Sequence, residues 1–440
     1  MVKNLWEYKL SLILPLLSVS GLMLLFFYGP INYPFNFSAL LLFLLFYFSY
    51  VFGWFSYNLM PKKRISCEIE AHTPRKISSV TTILSFLTGI YLVLIFYDFF
   101  VIGNLLNVGI TEAREVRTIE GPRGSIIGFL VVLFTGAPLL LLISLLVYKD
   151  SKKQKKSYLY KVQFLLSIIG LLSYFLSGGR NNFAISIVII SLIFLILKKS
   201  RISHFRSKSI KKYLFKSLIF SILLFLFLFM LYIFIDRVNY QGISMYSSVM
   251  GMESGFYIDV THYDFQVDIV RDYYYAFIVF LFYLGHPIMV VSQYFDAEFI
   301  NHTYGALSFS LPTMFYDFIF GTSFFSNALD SLILKGVYMS TPGYLFIDFG
   351  FLGVVFFGFL LGFYVSFFLK KSQSKNSNTN YYSLVLASIF LCAIILAPMY
   401  NILSGFGFSL ILMLFMVYIC VFTCTILKRI IKPQQFKTTN

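Results

Sequence analysis

The chain has 440 residues, of which 58% are hydrophobic and 12% are charged, and its formal net charge is +16. A soluble protein of this length cannot bury so much apolar surface, so a soluble fold is excluded. Repeated apolar runs of about 20 residues predict instead an all-α, polytopic membrane protein. Ten transmembrane helices are predicted, at 10–28, 38–60, 77–98, 125–148, 162–177, 181–197, 217–235, 344–369, 382–403 and 405–427.

Lysine and arginine fix the predicted orientation of these helices. With both termini in the cytoplasm, 28 of the 35 Lys and Arg residues fall on the inner face. This is the asymmetry expected from the positive-inside rule. Topology and anionic lipid explain the basic inner face, so we expect no nucleic-acid partner. The chain then divides into seven spans over 1–235 with an outer loop at 99–124, a large outer loop at 236–343, and three spans with a cytoplasmic tail over 344–440.

The segment 273–295 leaves two interpretations open. Its apolar run before His286-Pro287 has only about 13 residues, which is too short to cross a bilayer unaided. Either the segment is re-entrant or interfacial, which we favour, or it pairs with a weak span near 305–321 to give twelve crossings. Both interpretations leave both termini in the cytoplasm.

The few cations of the outer face are nearly all arginine. Arginine grips phosphate or carboxylate with a rigid fork of donors, whereas lysine is a hydrated point charge. This bias predicts that the outer face holds an anionic group. The alternative is that these arginines pair with outer acids such as Glu115 and Asp272. The seven outer cations are Arg114, Arg117, Arg123, Arg180, Arg237, Arg271 and Lys335.

Arg180 has the most specific setting of these. It follows Ser177-Gly178-Gly179 between two spans with almost no loop. The glycines permit a tight turn with exposed amides, and the next helix begins with its N-terminus facing the same place. We predict a compact anion site here, with a snorkelling arginine at a helix end as the alternative.

Candidate bases are found in the outer loop and at the next span. His262 and His302 are loop histidines and candidate general bases near neutral pH, and His286 beside a proline is a weaker candidate. Tyrosines deep in the loop, such as Tyr246, Tyr257 and Tyr304, are not explained by an interfacial belt and are candidate platforms for sugar rings. No His, Cys or carboxylate spacing typical of a metal site is present.

Three motifs in order support a resemblance. They are the SGGRN turn at 177–181, the His286-Pro287 segment followed by TYGALSF at 303–309, and YLFIDFGFLG at 344–353. In this order and spacing the chain, from about 77 to 369, resembles the Wzy-type O-antigen and capsule repeat-unit polymerases. The resemblance implies a core similar to the C-type membrane glycosyltransferases.

The resemblance also implies a reaction in the bacterial cytoplasmic membrane, with the active site facing the periplasm or outside. A growing glycan on undecaprenyl diphosphate is transferred to the non-reducing end of a lipid-linked repeat unit. Arg180, Arg237 and Arg271, with Gly178, Gly179, Arg117 and Tyr304, would bind the substrate. His262, His302 or Asp348 would be the base, and Asp348, at the outer end of its helix, is expected to be reached by water.

No metal or other cofactor is implied, because arginines can neutralise the departing diphosphate. The implied partners are the undecaprenyl diphosphate-linked oligosaccharide, membrane lipids and a chain-length regulator (co-polymerase). Two other functions stay open at this point. A ligase of the O-antigen type would move finished glycan to another acceptor, and a flippase or exporter would carry lipid-linked glycan across the bilayer. The spans lack the cationic inner cavity that a flippase needs.

Overall fold

A computed structural model describes residues 5–34, 36–60, 74–102, 126–147, 158–176, 180–201, 242–296, 302–332, 339–372 and 381–431, with six isolated residues between 228 and 239. These residues are almost entirely helical. The helices are α1 (Leu5–Tyr28), α2 (Phe37–Leu59), α3 (Pro74–Tyr97), α4 (Ile126–Phe134), α5 (Ala137–Val147), α6 (Tyr158–Leu176), α7 (Arg180–Arg201), α8 (Met245–Phe256), α9 (Asp268–Asp296), α10 (Ser310–Phe320), α11 (Phe324–Asp330), α12 (Thr341–Ser372), α13 (Tyr381–Leu396) and α14 (Phe406–Ile431).

Seven described segments are long and apolar enough to cross a bilayer, as expected for an all-α, multi-pass membrane protein. They lie in α1, α2, α3, the α4–α5 pair, α9, α12 and α14, and α6, α7 and α13 contain shorter apolar helices. Nine of the ten predicted spans therefore coincide with helices. The tenth, at 217–235, lies outside the described residues, as do most of the predicted outer loop at 99–124 and most of the lysine-rich connectors.

The chain folds as two compact units, the first made of residues 1–54, 194–362 and 394–401, and the second of residues 55–193, 363–393 and 402–440. In the second unit, the predicted span at 125–148 is broken by a turn at Thr135-Gly136. Tyr174 donates to the Thr135 carbonyl at 2.5 Å, and Ser409 Oγ donates to the Leu133 carbonyl at 2.9 Å. Side chains of other helices thus satisfy the backbone groups that the break leaves unpaired, which lipid could not do.

In the first unit, α2 and α12 approach until their backbones touch. A Cβ added at Gly53 would lie 2.0 Å from the Phe359 carbonyl oxygen, and one at Gly362 would lie 2.0 Å from the Tyr50 oxygen. Glycine is required at both positions, because any side chain would push the two helices apart. Such close contact maximises dispersion attraction, which drives helix association inside a membrane.

The helix α9 shows that the re-entrant interpretation of 273–295 is wrong, whereas the interfacial one stays open. It is one continuous helix of 29 residues that passes through Pro287 without ending, so the chain does not turn back within it. Packing on both sides of the proline holds it, with the His286 ring against Phe282 and Ile288 in a core cluster with Phe26 and Phe43. The second span of the twelve-crossing interpretation is not found, since α10 has only 11 residues and is too short to cross.

Both ends of α9 are linked to the short turn between α1 and α2. Near its start, Tyr274 donates to the Thr261 carbonyl at 2.6 Å, and the Thr261 N–H is bonded to the Pro30 oxygen at 3.1 Å. At its end, Asp296 accepts a hydrogen bond from Asn36 at 2.5 Å. A two-residue antiparallel pair, β1 (Ile31–Asn32) with β2 (Asp259–Val260), adds to this attachment. The turn 29–36 therefore organises the segment 242–296.

Candidate functional site

A break inside α12 is the starting point of the site. Gly350 has φ +66° and ψ −164°, which lies outside the helical region although apolar residues flank it on both sides. This region of backbone conformation is open essentially to glycine alone. The sequence Asp348-Phe349-Gly350 thus places a break, and a carboxylate beside it, near the start of a membrane helix.

His302 is hydrogen-bonded to a backbone carbonyl just before this break. The Ile347 carbonyl accepts a hydrogen bond from His302 Nδ1 at 2.8 Å and a longer one from the Thr303 N–H at 3.4 Å. Because a carbonyl oxygen can only accept, Nδ1 carries the proton, and in the neutral ring Nε2 carries the lone pair. His302 is exposed, and its Nε2 makes no hydrogen bond with any other described residue. This arrangement suits a general base.

Asp348 fixes the turn that carries His302. One carboxylate oxygen accepts from the Thr303 hydroxyl and from the Leu307 N–H at 3.2 Å, and the other accepts from the Ser308 N–H at 2.6 Å. The side chain is 1% exposed, so the expectation that water reaches Asp348 is wrong. The turn 302–309 covers the carboxylate, which is the eighth residue of α12 rather than a residue at its outer end.

A third segment, which lies near the C-terminal end of the sequence, also contacts the turn 302–309. Asn401, which is 2% exposed, donates from Nδ2 to the Ser308 carbonyl at 3.1 Å. Beside it, the Thr341 N–H donates to the Ala397 carbonyl at 2.8 Å. The turn 302–309, the start of α12 and the turn 397–401 therefore meet, and the predicted topology places all three at the outer face.

Tyr304 stands beside His302 in a strained conformation. Its φ is +52°, which is uncommon for a bulky residue, and Gly305 after it has φ +99°. The ring is 62% exposed, with Phe324 at a centroid distance of 6.0 Å. Strain of this kind is typical of functional sites, because only a surrounding structure that fixes the turn can maintain it. An exposed aromatic ring thus lies next to the candidate base.

Replacing Gly350 with alanine should destabilise the first unit by about 1–3 kcal/mol, because alanine is strained in this conformation. The new Cβ itself would meet only the His302 ring, at 3.7 Å, so the effect reports backbone strain rather than crowding. Thermal unfolding in detergent measures it. Gly21→Ala in α1, where a Cβ meets nothing within 4 Å, is the matched control and should not lower the stability. Equal melting temperatures for both variants would contradict the prediction.

His262 lies in a second cluster, where both of its ring nitrogens are occupied. Nε2 is 2.9 Å from Glu253 Oε1, and Nδ1 is 3.1 Å from the Tyr275 hydroxyl. Glu253 also accepts from the Val260 N–H at 2.9 Å. His262 would have to break the hydrogen bond to Glu253 or to Tyr275 before it could accept a proton from a substrate. Its role as a base stays a prediction.

Arg271 is engaged by neighbouring acids. Its guanidinium is 3.0 Å from Asp268 and 4.0 Å from Asp272, as the ion-pair alternative anticipates. Its Nε, which is the atom that lies 4.0 Å from Asp272, is buried and makes no hydrogen bond with a described residue. The predicted roles of the remaining substrate-binding residues, Arg117, Gly178, Gly179, Arg237 and the Arg180 side chain, fall outside the described residues.

Sequence reasoning missed several residues of the site. Gly350, Thr303, Ser308 and Asn401 were not singled out as site residues, nor was Glu253 in the second cluster. A signal existed for Gly350, because an aspartate two residues before a glycine is unusual inside an apolar helix. Among the described residues, no three His, Cys, Asp or Glu side chains are grouped as metal ligands.

Asp317 joins α10 to α11 next to the site. It accepts from the Thr322 hydroxyl at 2.8 Å and from the Ser326 N–H at 3.0 Å, so it caps the start of α11. Desolvation opposes its charge, but these hydrogen bonds outweigh that effect and hold the pKa of the Asp317 carboxyl below its ordinary value. The carboxylate is therefore a structural group, which holds Phe324 beside Tyr304.

This shift predicts a pH dependence for α11. Because the folded-state pKa is depressed, the stabilisation is complete above the unfolded value of about 3.9 and is lost as the pH falls through the folded value. Hydrogen exchange of residues 322–330, corrected for intrinsic rates, should show opening in that acid range. Asp317→Asn should show the opening already at neutral pH, and Asp330→Asn should behave like the wild type. An α11 that opens at the same pH in all three proteins would contradict the prediction.

Comparison of the chain with models of protein families, with curated proteins and with solved structures finds no match.

Proposed function

We propose that this protein is a membrane glycosyltransferase that polymerises lipid-linked oligosaccharide repeat units at the outer face of the bacterial cytoplasmic membrane. The observation that carries the proposal is His302, an exposed imidazole whose Nδ1–H is held by a carbonyl freed at a helix break. Tyr304, strained and exposed at its side, supports it as a platform for a sugar ring.

The proposed reaction needs one proton transfer and one displacement. Nε2 of His302 takes the proton from a hydroxyl at the non-reducing end of the acceptor repeat unit. The acceptor oxygen then bonds to the anomeric carbon of the donor glycan, while the bond from that carbon to the diphosphate oxygen breaks. Undecaprenyl diphosphate leaves as an anion, which Arg180, Arg237 and Arg271 would neutralise. Asp348 takes no part in this proton transfer, and it positions His302 through the turn 302–309.

The helix α9 belongs to this proposal as an interfacial helix. Tyr274 and Asp296 are 22 positions apart, which is about 33 Å along a helix axis. A helix that crossed the bilayer would carry its ends to opposite faces, whereas both of these residues are linked to the turn 29–36. We therefore place α9 along the outer surface, although its length and composition would allow it to cross.

Cysteine labelling tests this placement. In a background without the four native cysteines, single cysteines at Asp268 and Asp296 should both react with a membrane-impermeant maleimide added from outside. A cysteine at Lys371, predicted to be cytoplasmic, is the control and should react only after the membrane is opened. Labelling of the Asp296 position only after opening would show that α9 crosses the bilayer.

Reconstitution tests the function itself. The purified protein in liposomes, supplied with undecaprenyl diphosphate-linked repeat units, should produce a ladder of longer lipid-linked glycans. In cells, deletion should leave single repeat units on the carrier. Long unattached chains after deletion would favour a ligase instead, and a failure of the liposomes to extend any chain would overturn the polymerase proposal.

A further inference from the structure

The outer segment 242–275 carries a group of linked aromatic rings that the proposed reaction does not use. The Tyr274 ring lies 5.0 Å from Phe265 and 5.4 Å from Tyr263, and the Tyr275 ring lies 5.2 Å from Tyr274 and 5.3 Å from Tyr246. We call these five rings the tyrosine cluster. Most of the contacts are edge-to-face, which leaves ring faces at the surface of the cluster.

The tyrosine cluster is held in place by hydrogen bonds rather than by packing alone. Tyr274 donates to the Thr261 carbonyl, and Tyr275 is bonded to His262, which is itself bonded to Glu253. The pairing of β1 with β2 fixes the same loop to the turn 29–36. A surface that is ordered in advance loses little entropy when a ligand binds, so it suits recognition.

The outer rings of the tyrosine cluster are open and lie next to polar groups. Tyr246 is 41% exposed and Tyr263 is 57% exposed. His262 lies beside Tyr246 and is bonded to the Glu253 carboxylate, and Asp264 directly follows Tyr263 in the chain. A sugar ring presents C–H groups on its face and hydroxyls at its edge, so exposed aromatic faces with acceptors at their edges match it chemically.

The net negative charge of this segment argues against a lipid-binding surface. The segment 242–275 contains five acidic residues and a single cation, Arg271, which is 3.0 Å from Asp268. Surfaces that lie on anionic lipid headgroups carry an excess of cations, and the net charge of −4 on this segment would be repelled by such headgroups. A neutral saccharide carries no such penalty.

We infer that the tyrosine cluster is a saccharide-binding subsite that holds sugar residues of the glycan at a second place, apart from the residues around His302. The inference rests on the proposed function, because it takes its ligand from the same glycan. In this subsite Tyr246 and Tyr263 stack on sugar rings, and Glu253 accepts hydrogen bonds from sugar hydroxyls. His262 is a positioning residue, which orients Glu253 and the Tyr275 ring.

Direct binding tests the subsite without any need for catalysis. The probe is a set of lipid-free oligosaccharides of two to four repeat units, cut from the polysaccharide of the producing strain. Saturation-transfer NMR with the full-length protein in nanodiscs measures their dissociation constants. Tyr246→Ala and Tyr263→Ala should each raise the Kd about three- to tenfold, as expected from the loss of one stacked ring. Tyr246→Phe keeps the ring and should bind like the wild type.

The control is Tyr257→Ala, which removes a still more exposed tyrosine of the same outer segment, at 85%, that the structure leaves outside the five rings. Wild type that binds no oligosaccharide, or a Kd unchanged in both alanine variants, would overturn the subsite. So would an equal loss of binding in the Tyr257 control. The outcome for the proposed function is separate: protein that binds the oligosaccharides but never extends a lipid-linked chain would overturn the polymerase and leave the subsite standing.

Discussion

His302→Asn should slow glycan extension by about 10²- to 10⁴-fold while leaving the protein as stable as the wild type. The asparagine amide places a donor where Nδ1 lies, so the hydrogen bond to the Ile347 carbonyl is kept. The lone pair of Nε2 is lost, and with it the group that we propose takes the proton from the acceptor. Initial rates of extension in liposomes, with thermal unfolding of the same preparations, measure both effects.

A second variant separates the two functions of this imidazole. His302→Gln places its amide where Nε2 lies and loses the donor to Ile347, so it should lose both activity and some stability. Wild-type rates in His302→Asn would remove His302 from the chemistry and leave it only as a structural residue.

Asp348→Asn should destabilise the first unit by about 2–5 kcal/mol and reduce extension together with stability. The carboxylate accepts from three donors, which are the Thr303 hydroxyl and the N–H groups of Leu307 and Ser308. An amide has only one acceptor oxygen, so its NH₂ group would face a donor, and a buried N–H would lose its partner. The charge that strengthens all three hydrogen bonds is lost as well.

Thermal unfolding and hydrogen exchange of residues 302–309 measure this effect. Asp330→Asn, an exposed aspartate of α11, is the control and should change the stability by no more than about 0.5 kcal/mol. Thr303→Val removes only one of the three donors and should fall between the two. An Asp348→Asn protein that melts with the wild type would show that the turn is held by other contacts.

Most of the helices could be predicted because lipid imposes a simple rule on them. A run of about 20 apolar residues that must satisfy its own backbone has few alternatives to a helix, so nine predicted spans fall on helices. The break at Gly350 escaped prediction because glycine is common in membrane helices and usually leaves them intact. Pro287 led to the opposite error: a break was predicted there, but neighbouring side chains hold α9 together across the proline.

The site could be predicted only in part, because some of its residues are far apart in the sequence. His302, Tyr304 and Asp348 could be singled out by residue type, but Asn401 could not, since it reaches the Ser308 carbonyl from 93 positions away. The burial of Asp348 depends on the turn 302–309 that folds over it. Contacts of this kind have no local pattern, because only the packed helices bring the partners together.

The attachment of β2 to β1 has a consequence for biogenesis. Asn32 meets Asp259, which follows it by 227 residues, and Asn36 meets Asp296 after 260 residues. At ribosomal elongation of about 5–20 residues per second, the turn 29–36 is synthesised roughly 10–50 seconds before its partners exist. During that interval its backbone groups have only water or a chaperone to bind. The early helices must therefore persist in the membrane as an unfinished intermediate, and the site around His302 cannot assemble until synthesis has passed the turn at 397–401.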